Sequence, residues 1–137
     1  MQKHIRSLLV HKLLLPFALL YTFFLTFGSF IEPEQFPKLG RSITDKGIHF
    51  MGYAILVFLW SVTVYFNSKK NIFIMVVLKT AFFALVYGII IEVLQEQLTS
   101  NRDGDIMDGF ANLLGILFAV ILLYFIQPKL IKLKNRN

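Results

Sequence analysis

Four apolar runs, each close to the length needed to cross a bilayer, constrain this chain more than any other feature. They cover residues 13–31, 47–66, 72–94 and 106–126. A spanning helix needs about 20 mostly apolar residues. Irregular backbone facing lipid would leave its N–H and C=O groups without partners, so each run is expected to be a helix. Short connections between four such runs in 137 residues leave room for one membrane domain and no sizeable soluble one. The expected fold is an all-α membrane protein, a single domain over 1–137 built as a four-helix transmembrane bundle. A hydrophobic content of 56% agrees, since soluble domains run at roughly 45–50%.

The first run follows Lys3, Arg6 and Lys12, as a signal peptide would, but its apolar stretch exceeds the usual ~7–15 residues and no A-x-A-like site follows. It is read as a retained helix, with Pro16 in the first turn, where a missing N–H costs least.

Charge gives the orientation. Lys3, Arg6, Lys12, Lys69, Lys70, Lys129, Lys132, Lys134 and Arg136 flank one side of the four runs with no acid among them, and all eight acids fall on the other side. The excess of Lys and Arg in short cytoplasmic segments places both termini in the cytoplasm. It also accounts for the net charge of +6 without nucleic acid, and it suits anionic lipid headgroups. Lys79, inside the third run, is read as a snorkelling side chain. The chain has no Cys, which excludes disulfides and thiolate metal sites.

The chemistry gathers at the outer ends. Asp45, His49 and Tyr53 step by four entering the second span. Glu92, Gln95 and Glu96 share a face leaving the third. Asp105, Asp108, Asn112 and Gly115 share one entering the fourth. Carboxylates turned to acyl chains are expensive, so these stripes should face one another. The expected result is a polar pocket at the outer leaflet holding Asp45, His49, Glu92, Gln95, Arg102, Asp105, Asp108 and Asn112. Gly52, Gly88, Gly104, Gly109 and Gly115 would let the helices approach closely around it. Taken singly, each group has a plainer role. Asp45 and Asp105 suit helix N-termini, and His49 or Glu92 suits an interface.

These same residues resemble the VanZ-like membrane protein family. The order is D-K-x-x-H-F-x-x-Y (Asp45, Lys46, His49, Phe50, Tyr53), then E-x-x-Q (Glu92, Gln95), then R-x-x-D-x-x-D-x-x-x-N-x-x-G (Arg102, Asp105, Asp108, Asn112, Gly115). The resemblance spans roughly residues 10–127. It implies a small multi-pass protein of the bacterial cytoplasmic membrane, named for an association with glycopeptide (teicoplanin) resistance. It supplies a phenotype class and no reaction.

Three functions remain open at this level. A binder would take the headgroup of an envelope lipid, a wall precursor or a glycopeptide, through Lys46, Tyr53, Glu92, Gln95, Arg102, Asp105 and Asn112. An interfacial hydrolase or transferase would use His49 as acid or base with Asp45 and Asp108, on a lipid-linked phosphate or glycan. No G-x-S-x-G, H-E-x-x-H or P-loop supports it. A structural bundle would use the same groups as interhelical glue. The cofactor is undetermined, and the oxygen-rich set leaves room for a divalent cation. A transporter is disfavoured, because the polar groups lie at one end and no inverted repeat is visible.

Overall fold

In a computed structural model the described residues, 2–31, 41–68, 72–98 and 106–136, form four α-helices and no strand; side chains are described from residue 12 in the first helix and from 45 in the second. The helices are α1 (Gln2–Ser29), α2 (Arg41–Asn67), α3 (Phe73–Leu98) and α4 (Ile106–Asn135). All four are long and apolar enough to cross a membrane. They overrun the apolar stretches because Lys, Arg, Gln and Leu are good helix formers whether or not they are greasy. Pro16, expected in a first turn, therefore sits in the interior of α1. The helix begins well upstream, so the carbonyl of Lys12 lacks its usual N–H partner there. Pro128 is likewise inside α4.

α2 is the central helix. It packs most extensively on α4 and also touches α1 and α3, whereas α1 meets α3 only marginally. The core is Tyr53, Leu56 and Val57 of α2, Val76 and Val77 of α3, and Ile116, Ala119 and Leu123 of α4. The outward faces carry Phe23, Phe27, Phe82, Phe83, Phe118 and Phe125, all exposed. A soluble protein avoids such a surface. A bilayer is its natural solvent.

Small residues set the α2–α4 contact. A Cβ added at Gly115 would fall on the carbonyl oxygen of Phe50 and lie 3.2 Å from the Ala54 nitrogen, so the two backbones touch there. Gly52 receives Leu25 of α1, and Gly88 receives the ring of Tyr53. Gly109 departs from expectation, since nothing lies within 4 Å of its would-be Cβ and it borders open space. Gly104 lies outside the described residues.

Polar side chains within the spans tie the helices together. Trp60 donates its indole N–H to Thr22 at 2.9 Å, Tyr21 donates to the Gly52 carbonyl at 2.9 Å, Thr26 and Tyr87 share a bond of 2.8 Å, and Ser61 and Thr80 one of 2.5 Å. Each is worth on the order of 0.6 kcal/mol in a membrane, up to roughly 2. At the other end from the acids, Lys134 donates to the carbonyls of Tyr65 and Ser68 and lies over the Tyr65 ring at 3.9 Å.

Candidate functional site

The N-terminal parts of α2 and α4 and the C-terminal part of α3 meet at one end of the bundle. His49 of α2 is buried there and faces Asn112 and Asp108 of α4 and Glu92 of α3. The i, i+4 spacing of Asp45 and His49, and of Asp108 and Asn112, keeps each pair on the face turned to the partner helix. Asp108 lies in the first turn of α4, where the backbone dipole favours an anion, whereas Asp45, expected at a helix N-terminus, lies past the first turn of α2 because that helix begins at Arg41.

A chain of polar contacts crosses all three helices. Asn112 donates from Nδ2 to Glu92 Oε1 at 3.1 Å. Its Oδ1 then faces His49 Nδ1 at 3.0 Å. An amide oxygen only accepts, so Nδ1 carries the proton and donates. The other ring nitrogen, Nε2, is turned to Asp108 Oδ2 at 3.7 Å, too far for a hydrogen bond. Glu92 Oε1 also lies 3.7 Å from His49 Nδ1, and Lys46 Nζ lies 3.5 Å from Asp108 Oδ1. Asp108 Oδ1 is buried and has no hydrogen-bond partner among the described residues. The candidate ligand atoms of Asp45, His49 and Asp108 lie within 4.8 Å of one another.

Six of the expected site residues thus come together: Asp45, Lys46, His49, Glu92, Asp108 and Asn112. Two are placed differently. Gln95 is buried and donates to the Ser29 carbonyl at 2.5 Å, closing one of the unpaired carbonyls at the end of α1. Tyr53 is 2% exposed and lies one turn deeper, its ring against Gly88 and 6.0 Å from that of Tyr87. Its hydroxyl, like Asp108 Oδ1, lacks a hydrogen-bond partner among the described residues. Arg102 and Asp105 lie outside the described residues.

A feature that periodicity did not signal completes the site. A cleft of about 290 Å³ runs between α3 and α4. Ala84, Leu85, Gly88, Ile89 and Ile116 line its apolar part, and Glu92, Glu96 and Asn112 its polar end. Gly109 borders it, which gives that glycine its use: a side chain there would fill the space. Glu92 and Asn112 belong both to the cleft and to the relay that ends on His49. No protein-family model, curated protein or solved structure matches the chain.

Proposed function

We propose that this chain is a VanZ-like protein of the bacterial cytoplasmic membrane that binds the headgroup of a lipid-linked envelope molecule in an extracytoplasmic polar pocket. The lipid tail would occupy the cleft between α3 and α4. The observation that carries this reading is the continuity of the cleft: its apolar walls end at Glu92 and Asn112, and Asn112 touches His49. An amphiphile entering sideways from the bilayer keeps its chain in an apolar setting throughout and exchanges headgroup hydration for protein hydrogen bonds only at the end. A water-soluble ligand would have no use for the lower half of the groove. The family resemblance supports extending the ligand class to lipid-tailed glycopeptides of the teicoplanin type.

Gly109→Leu tests it. The substitution should fill the cleft without a clash, because the space around Gly109 is open, and Leu is about 1 kcal/mol better than Gly in a helix. Lipids extracted from the purified protein and identified by mass spectrometry should include one enriched species with a phosphate or glycan headgroup. Gly109→Leu should hold at least about tenfold less of it at an unchanged melting temperature, a loss equal to about 1.4 kcal/mol of affinity. An identical bulk-lipid profile in both proteins would sink the reading. The enzyme reading draws support from the orientation of His49, whose Nδ1 is held by Asn112 while Nε2 faces Asp108. Conversion of the enriched lipid to a product would decide for it.

The outward orientation has its own test, made simple by the absence of Cys. Gly47 and Asn135 are exposed at opposite ends of the bundle. Gly47→Cys should react with a membrane-impermeant maleimide in intact cells, and Asn135→Cys only after permeabilisation. The reverse pattern puts the pocket inside.

A further inference from the structure

We infer that Asp45, His49 and Asp108 form a binding site for one divalent transition-type cation, Mn²⁺ or Zn²⁺, at the buried end of the α2–α4 contact. Three independent features lead there. The first is geometry. One imidazole nitrogen and two carboxylates present atoms within 4.8 Å of one another. Bonds of about 2.0–2.2 Å to a shared ion set ligand atoms roughly 3–4 Å apart, so rotamer-scale adjustment closes the set. The 3.7 Å separation of His49 Nε2 from Asp108 Oδ2 already falls in that range.

The second is the state of the ligands. The amide of Asn112 is oriented by its donation to Glu92, and it holds the proton of His49 on Nδ1. In the neutral ring Nε2 then carries the lone pair, turned to Asp108 Oδ2 at 3.7 Å, so that a cation between the two could be bound by both. Asp108 is 5% exposed, and its Oδ1 has no hydrogen-bond partner among the described residues, with the Lys46 ammonium 3.5 Å away. Native proteins rarely leave a buried carboxylate oxygen so. The Asn112–Glu92 pair is what a metal-binding histidine requires behind it, a partner for the second ring nitrogen that fixes tautomer and ring orientation.

The third is charge. Two carboxylates, Asp45 and Asp108, are held with His49 within 4.8 Å of one another, and Glu92 lies 3.7 Å from the same ring. Like charges packed this closely at the rim of a bilayer are costly, and a divalent ion shared between them offsets that cost. The mix of one imidazole with two carboxylates, and no thiolate, favours Mn²⁺ or Zn²⁺ over Cu(I). Resting on the headgroup reading, such an ion would also give this acidic pocket a positive centre for a phosphate.

The test uses the purified full-length chain, freed of any tag and stripped with chelator. Mn²⁺ is titrated while the free-ion EPR signal is read, and Zn²⁺ is used as competitor. One saturable site per chain is expected, with ¹⁴N coupling from an imidazole in pulsed EPR. His49→Gln should abolish that coupling, and it and Asp108→Asn should each weaken binding at least about tenfold. Lys46→Met should tighten it several-fold, because a competing cation beside Asp108 is removed. That change of sign also keeps the test decisive if a ligand variant fails to fold. Absence of saturable Mn²⁺ or Zn²⁺ binding by the wild type overturns the inference. So does binding that ignores all three substitutions, which would mark an adventitious ion only. Cation binding is read without added lipid and lipid retention without added metal, so each proposal can fail alone.

Discussion

Gly115→Val is expected to prevent the bundle from assembling, and Gly115→Ala to lower its melting temperature sharply. A Cβ at this position meets the Phe50 carbonyl oxygen and crowds the Ala54 nitrogen. Both are backbone atoms, so no rotamer change relieves the contact, and α2 and α4 must separate. Overpacking that moves backbone typically costs about 1–3 kcal/mol, occasionally more. Among the described residues this is the most extensive helix contact, and close backbone approach is a main source of helix association in lipid. For Ala a loss of about 3 kcal/mol is expected, a fall of roughly 6–20 °C in detergent. Gly109→Ala is the control on the same helix. It meets open space and should melt at or slightly above wild type. Equal melting of Gly115→Ala and wild type would show that the helices do not approach as closely as described. The consequence reaches the site as well. Asp108, Asn112 and Gly115 share one face of α4, so the contact that seats Gly115 on Phe50 also brings Asn112 to the neighbouring His49. Prising the helices apart at Gly115 should impair ligand retention before it unfolds the chain.

That coupling shows what could be read from the chain alone and what could not. The four helices follow from apolar length, because the bilayer leaves the backbone few alternatives. The meeting of His49, Asp108, Asn112 and Glu92 follows from spacing plus the cost of turning a carboxylate to lipid. Spacing names a face within one helix, but it does not say which neighbour the face meets. Gln95 sits only three residues from Glu92, yet it reaches α1 and binds the Ser29 carbonyl. A face some 100° wide can touch two helices. Tyr53 continues the stripe of Asp45 and His49 and so descends into the core, where Gly88 makes room for it. Gly109 looks in sequence like Gly115, but it faces the cleft where Gly115 faces Phe50. The Trp60–Thr22, Tyr87–Thr26 and Thr80–Ser61 links join residues 38, 61 and 19 positions apart, and a lone hydroxyl in an apolar run carries no periodic signal.

Reversing the polarity of one bond in the relay should break the site, and reversing its partner should mend it. Asn112 is 3% exposed and serves two neighbours, accepting from His49 and donating to Glu92. Asn112→Asp keeps the shape and the acceptor toward His49. It replaces the donor toward Glu92 with a carboxylate oxygen, which then faces Glu92 Oε1 across the former 3.1 Å bond. Two like charges in a poorly solvated setting repel, and the loss expected is about 2–4 kcal/mol, a fall of roughly 5–20 °C. Adding Glu92→Gln supplies an amide that donates back to the new carboxylate. The double variant should recover to within a few degrees of wild type, with a coupling energy of about 2–3 kcal/mol in the cycle. Asn112→Leu sets the comparison, since it leaves both the His49 N–H and the Glu92 carboxylate without this partner and no second substitution at Glu92 repairs the histidine. If the double variant melts as low as Asn112→Asp alone, the direction assigned to the Asn112–Glu92 bond is wrong. The proton placed on His49 Nδ1, which the cation site requires, would fall with it. Recovery in the double variant would establish the direction of the Asn112–Glu92 bond, which turns the Asn112 oxygen to His49 Nδ1 and so orients the histidine.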